Sequence, residues 1–211
     1  MKNIAIFGDS FADPNIDNNY MSWPELLKTK FSVTNFAQAG TGLWWSYKQF
    51  KKISSQYDLC IVVVSIPGRV HLEKLDNHMN FNSATWPTSR GVNLGNIYFE
   101  HFYSEEKEQC FQDFMVQDIL KHNSVVVIPA FDESISAHTG KSLCYFADLE
   151  SKHYSMFHAT SNDKRKCHLT KENNLMIYNK ILSAIDNQQI ILNLDATDYN
   201  VPAEPAHFYW K

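Results

Sequence analysis

Two short runs of apolar residues place the strongest constraint on how this chain can fold. Residues 61–64 read Ile-Val-Val-Val and residues 125–128 read Val-Val-Val-Ile, without polar alternation. A strand that lacks alternation is covered on both faces, as in a parallel sheet between two layers of helices. The first of these runs belongs to a longer stretch at 59–65. Together with the runs at 4–7 and 32–36, the two runs predict four buried parallel strands.

Helical patterns fill the stretches between these strands. Ser22 and Pro24 indicate the N-cap and the first turn of a short helix. Apolar residues recur at helical spacing over 43–57, 105–122 and 170–186, and Thr170 is the expected N-cap of the last helix. The predicted buried face of the 105–122 helix consists of four residues: Phe111, Phe114, Met115 and Ile119.

The alternation of strands and helices predicts an α/β fold, a three-layer α/β/α sandwich with a central parallel sheet. A chain of 211 residues suits a single domain over 1–211. Two segments, at about 67–104 and 131–167, are too long for plain connections and indicate insertions. Both leave the sheet at the edge where its strands end. There they either wall a pocket, or pack for stability or for an oligomer contact.

Charge and cysteine content argue against several classes of protein. The net charge is −4 with neutral histidines and there is no Lys/Arg-rich run, so nucleic acid and anionic membranes are not indicated as partners. The four cysteines show no C-x-x-C spacing, so free thiols are expected, and neither a metal nor another cofactor is. No secretory signal or membrane span precedes the first strand, which predicts a cytoplasmic location, with release by lysis left open.

Gly8-Asp9-Ser10 follows the first predicted strand directly. In open α/β sheets, ligands bind at the edge formed by the carboxyl ends of the strands, so Ser10 is expected at that edge. A serine there is a candidate nucleophile if a histidine reaches it and a carboxylate orients that histidine. The alternative is an ordinary turn, for which Gly, Asp and Ser are common residues.

His168 is the best-placed histidine, because it lies directly before the last predicted helix and follows the fourth strand. Asp163 precedes it by five residues and is the nearest carboxylate, so Ser10, His168 and Asp163 form a candidate triad. His168 could instead be an exposed residue beside a helix cap. A rival pair, Glu204 and His207, lies near the end of the sequence in a proline-containing stretch.

At this point the chain resembles a known family. Phe7-Gly8-Asp9-Ser10-Phe11 looks like the first block of the SGNH, or GDSL-type, hydrolase superfamily of esterases and lipases. Residues 35–42 resemble the second block, 61–65 resemble the strand before the third, and 168–170 resemble the last. The blocks in this order span nearly the whole chain, although only the first is specific on its own.

The resemblance implies a flavodoxin-like α/β/α fold and hydrolysis of a carboxylic ester through a seryl acyl-enzyme, without a metal. It implies that Ser10 attacks the ester carbonyl and that His168 passes the proton to the leaving alcohol. It also implies that the backbone N–H groups of Ser10 and Gly40 bind the oxyanion. The aromatic long segments suit a sugar ring or an acyl chain, and an O-acetyl group on a carbohydrate is the specific hypothesis.

Two positions depart from the pattern of that family. Arg69 stands where the third block has an oxyanion-binding asparagine; it could donate to the oxyanion, bind an anionic group of the substrate, or be a surface arginine. Arg165 stands where the last block has an aspartate three residues before the histidine. Asp163, the nearest carboxylate in sequence, is then the expected acid, with Asp132 in reserve; a triad that works without an acid is the other alternative.

These departures support a second hypothesis, a catalytically decayed module of the same fold that binds a glycan or a protein partner. A third hypothesis is a nucleotide-binding domain of flavodoxin-like fold. It is weaker, because neither G-x-G-x-x-G nor G-x-x-x-x-G-K-[ST] follows a strand. The serine esterase is the function that the sequence favours.

Overall fold

The computed structural model describes residues 1–13, 21–72, 77–79, 97–136, 138–149 and 169–200. Four strands form a parallel sheet: β1 (Asn3–Phe7), β2 (Ser32–Asn35), β3 (Leu59–Val64) and β6 (Val125–Pro129). Their order across the sheet is β2-β1-β3-β6. A parallel bridge between Val127 and Ile191 adds one more segment beside β6. The four predicted strands and their parallel arrangement are confirmed.

Six helices accompany the sheet in the described ranges: α1 (Trp23–Leu27), α2 (Leu43–Ile53), α3 (97–101), α4 (Glu105–Leu120), α5 (143–149) and α6 (Lys171–Asp186). Short 3-10 turns lie at Ser54–Gln56, Asp132–Ser134 and Ala196–Asp198. Thr170 caps α6 as predicted, since its side chain accepts from the backbone N–H of Asn173. Ser22 occupies the N-cap position of α1, but its side chain makes no capping bond there.

Hydrophobic side chains pack against both faces of the sheet. On one face, Ile4, Ile6 and Ile61 pack in a core with residues of α1 and α6. On the other face, Ala5, Phe7 and Val62 pack in a core with residues of α2 and α4. All six residues of β3 are buried, which explains why its sequence shows no polar alternation. The three-layer α/β/α prediction is therefore confirmed.

The predicted buried face of α4 is confirmed at Ile119 and in part at Met115, which packs against the core, but it is wrong at Phe111 and Phe114. Phe111 and Phe114 are 54% and 70% exposed, whereas Gln112, Val116 and Ile119 are buried. The physical reason is a polar contact that apolar spacing does not reveal. The Gln112 side-chain amide donates to two backbone carbonyls, over 2.8 Å to Ser65 and over 2.9 Å to Ser134. These bonds turn Gln112 inward, so the two phenylalanines face outward.

The two long segments contain regular structure where they are described. The first holds β4 (Val70–Leu72) and β5 (Asn77–Met79), an antiparallel pair in which Val70 lies opposite Met79. It also holds α3, and the second holds α5. The rest of both segments lies outside the described residues. In the described ranges, no helix combines the length and the apolar character needed to cross a bilayer.

Candidate active site

Ser10 lies in a tight turn that begins directly after β1, at the carboxyl edge of the sheet. The turn is closed by a bond from the Ala12 N–H to the Asp9 carbonyl over 3.0 Å. Gly8 is required here, because a Cβ atom at this position would lie 2.6 Å from the Cβ of Val63 on β3. Ser10 is partly exposed, while Asp9 and Phe11 on either side of it are buried. The turn therefore presents Ser10 at its surface.

Asp9 is fully buried and both of its carboxylate oxygens are used. Oδ1 accepts the backbone N–H of Phe11 over 3.1 Å, and Oδ2 accepts Nη1 of Arg69 over 2.8 Å. Burial raises the pKa of Asp9 above its ordinary value, and the nearby Arg69 charge opposes that rise. The Ser65 hydroxyl also lowers the pKa of this carboxyl, although it approaches without the geometry of a full hydrogen bond.

Arg69 points inward from the loop after β3. Its side chain is only 12% exposed, so it is not the surface arginine that was one of the alternatives. The guanidinium carbon lies 5.3 Å from the centre of the Phe131 ring, a cation–π distance. Phe131 in turn meets Phe11 edge to face, with 5.8 Å between ring centres. Arg69 thus lies against the loops that follow β1 and β6.

The loop after β2 is bonded directly to the Ser10 turn. The Gly8 carbonyl accepts the Gln38 N–H over 3.1 Å and the Thr41 hydroxyl over 3.1 Å. The Ala39 N–H donates to an oxygen of Asp13 over 2.6 Å. Gly40 lies at the exposed tip of this loop with a positive φ of 80°, a conformation that favours glycine.

The backbone N–H groups of Ser10 and Gly40 donate to no other group in the described ranges. The two loops that carry them are held together by the bonds to Gly8 and Asp13. Unpaired backbone N–H groups are the kind of donor that stabilises a negatively charged oxygen. The edge of the sheet therefore holds two such groups on the loops that adjoin the partly exposed Ser10 hydroxyl.

A second set of bonds connects the Ser10 turn to the start of α6. The Trp23 indole N–H donates to the Phe11 carbonyl over 2.8 Å, and the Trp23 backbone N–H donates to the side-chain oxygen of Asn174 over 2.9 Å. The amide nitrogen of Asn174 then donates to the carbonyls of Leu169 and Thr170 over 2.9 and 3.0 Å. These bonds connect Leu169, which follows His168 in the chain, to Phe11, which follows Ser10.

Four of the residues proposed from sequence fall outside the described ranges: Asp163, His168, Glu204 and His207. Asp132 is described and lies exposed in a 3-10 turn after β6. In the part of the chain covered by the structure, no group of three or more His, Cys, Asp and Glu side chains could hold a metal ion. Sequence reasoning missed Asp9, Trp23 and Asn174 as partners in the site. Of these three residues, only Asp9 could have been found from the sequence, because it lies next to Ser10.

Comparison with known proteins finds a likeness in structure but none in sequence. No protein-family model matches this chain, and no curated protein matches it by sequence. One solved structure similar to it is a crystal structure of an acetyl xylan esterase, AlAXEase. The two share 16% identity with a TM-score of 0.42, over 87% of this chain and 99% of the other. Identity and TM-score are both low, so the likeness assigns no activity to this chain.

Proposed function

We propose that this chain is a serine esterase of the SGNH type, which hydrolyses a carboxylic ester through a seryl intermediate. The observation that carries the proposal is the junction of two loops at the sheet edge. It combines the partly exposed Ser10 with two backbone N–H groups, of Ser10 and Gly40, that have no partner in the described ranges. Ser10 attacks the ester carbonyl, and the two N–H groups bind the oxyanion that forms.

In this proposal His168 takes the proton of Ser10 and returns it to the leaving alcohol, and Asp163 orients His168. The network from Phe11 through Trp23 and Asn174 to Leu169 supports the choice of His168, because it fixes the residue next to it relative to the Ser10 turn. Asp132 remains a reserve for the acid, and Glu204 with His207 remains the rival pair.

Arg69 is the third proposed contributor to the oxyanion or to an anionic group of the substrate. Its Nη1 is already bonded to Asp9, so such a contact would use the other N–H groups of the guanidinium. The loss of one oxyanion donor typically raises the barrier by about 2.7–4 kcal/mol, so a donor here would be a large part of catalysis.

The proposed substrate is an ester of a carbohydrate, with an acetyl group as the acyl part. Support comes from the aromatic cluster of Tyr98, Phe99 and Tyr103, whose ring centres lie 5.2–6.4 Å apart. A Cβ atom at Gly68 would lie 3.4 Å from the Tyr103 hydroxyl, so this cluster adjoins the residue before Arg69. Aromatic rings with polar tips beside a reactive edge suit a sugar ring.

Replacing Ser10 by alanine tests the function. Ser10→Ala should abolish hydrolysis of p-nitrophenyl acetate and labelling by a fluorophosphonate, while the thermal unfolding curve stays close to that of the parent, because the small side chain is partly exposed. Ser32→Ala, at an exposed strand position, is the control and should keep both activities. Persistent hydrolysis by Ser10→Ala would refute the mechanism. Acetate release from acetylated xylan, compared with cleavage of short-chain glycerol esters, tests the substrate class.

A binding module of the same fold, which recognises a glycan or a protein partner without turnover, is the second candidate. The observation that favours it is the commitment of Arg69 to Asp9, at the position where the resembling family has an oxyanion donor. The fluorophosphonate probe separates the two candidates. A protein that binds acetylated xylan but takes no label at Ser10 is the module.

A further inference from the structure

We propose that Arg69 is a positioning residue for Ser10, because its ion pair with Asp9 fixes the turn that presents the serine hydroxyl. The inference rests on the proposed esterase function and goes beyond it. It gives Arg69 a role that acts through a buried carboxylate and requires no contact with the substrate.

The Asp9 carboxylate controls the backbone on both sides of Ser10. Its Oδ1 accepts the Phe11 N–H over 3.1 Å, so the residues before and after Ser10 are bonded to each other. Its Oδ2 accepts Nη1 of Arg69 over 2.8 Å, so the carboxylate cannot rotate without breaking an ion pair. The orientation of the Ser10 turn is therefore coupled to the position of one guanidinium.

Arg69 is itself held on several sides. Its side chain is 12% exposed, and its guanidinium lies over the Phe131 ring at 5.3 Å. Its carbonyl oxygen touches the Gly42 backbone so closely that a Cβ atom at Gly42 would overlap it. The loops after β1, β2, β3 and β6 thus meet at Arg69. A side chain held by contacts on several sides keeps a fixed position, and its ion pair then keeps the Asp9 carboxylate in place.

Charge explains why an arginine suits this position. Asp9 is fully buried, and a buried carboxylate without a counter-charge is costly. A neutral side chain at position 69 could donate a hydrogen bond but could not balance that charge. A lysine would balance it as a point charge, without the planar guanidinium that contacts Phe131. The pair with Asp9 therefore uses both the charge and the shape of arginine.

Four variants test the proposal: Asp9→Asn, Arg69→Met, Arg69→Lys and the double variant Asp9→Asn/Arg69→Met. Asp9→Asn and Arg69→Met each remove the ion pair. Each should lower kcat for p-nitrophenyl acetate by about 100-fold with KM unchanged, as expected for a misplaced reacting group. The rate of fluorophosphonate labelling should fall in parallel. The double variant should match the worse single variant, because both changes remove the same interaction. Arg69→Lys should recover part of kcat.

Lys51→Met is the matched control. It removes another 2.8 Å ion pair, to Asp118, near the end of α2 farthest from Gly42, and it should leave kcat and labelling unchanged. A wild-type kcat in folded Asp9→Asn, or a raised KM with normal kcat in Arg69→Met, would overturn the positioning role. If Arg69→Met fails to fold by circular dichroism, Asp9→Asn and Arg69→Lys decide. Wild-type protein that takes no label at Ser10 instead refutes the proposed function, and the inference with it.

Discussion

At the residue scale, the site depends on places where a side chain would not fit. Gly8 passes so close to Val63 that the first atom of any side chain would collide with β3. Gly42 passes even closer to the backbone carbonyl of Arg69. These two glycines let the loops after β1 and β2 approach the loop after β3. The distance between Ser10 and its neighbours at the sheet edge follows from these close approaches.

Gly8→Ala should destabilise the fold by about 1–3 kcal/mol, the usual cost of forcing extra volume into a packed core. The reason is the 2.6 Å approach of the new Cβ atom to the Val63 Cβ. Urea unfolding followed by circular dichroism measures the change. Gly68→Ala is the control, because its Cβ would meet only the Tyr103 hydroxyl at 3.4 Å. Equal stability losses in the two variants would contradict the explanation.

At the element scale, the strands could be predicted from the sequence because their signal is local. All six residues of β3 are apolar and buried, so the sequence of the strand by itself indicates burial on both faces. The rotation of α4 could not be predicted in this way. It is set by Gln112, whose partners are carbonyls in loops 22 and 47 positions away in the chain. Polar contacts between distant segments leave no periodic pattern.

Gln112→Leu should lower the free energy of unfolding by about 1–3 kcal/mol, because it leaves the buried carbonyls of Ser65 and Ser134 without a donor. Chemical denaturation measures the loss. Gln117→Leu makes the same chemical change at an exposed position of α4 and should have little effect. If both leucines are tolerated equally, these two bonds do not hold the helix.

The candidate site was predictable only in part, because local sequence patterns do not reveal contacts between distant segments. Ser10 stands out because it lies in a turn directly after a strand, and Gly40 was indicated by the resemblance of residues 35–42 to a block of a known family. The partner of Asp9 did not stand out, because Arg69 is 60 residues away and a surface position was an equal alternative for it. The role of Asn174 is likewise visible only once α1 and α6 are packed together. Residues beside the end of a strand can be recognised from the local sequence, whereas their partners from distant segments are known only once the chain is folded.

At the scale of the whole molecule, the buried Asp9 makes stability depend on pH. Its pKa is raised in the folded state, mainly by burial, so between pH 3.8 and the raised pKa the folded protein holds a proton that the unfolded chain has lost, while above that pKa Asp9 is the carboxylate that pairs with Arg69. Stability should therefore fall as pH rises from the ordinary value of 3.8 through the raised pKa. Asp9→Asn should lack this decline. Urea unfolding at a series of pH values compares the two proteins, and identical slopes would contradict the assignment.

The central place of β3 has a consequence for the chain during synthesis. β3 is made before β6, and it pairs with β1 on one side and β6 on the other. Until residues 125–129 emerge, β3 presents an open edge of six consecutive apolar residues. Such an edge readily recruits strands from other molecules. A fragment that stops before β6 would carry Ser10, Gly40 and Arg69 but would leave this edge of β3 unpaired, so it should aggregate more readily than the full chain.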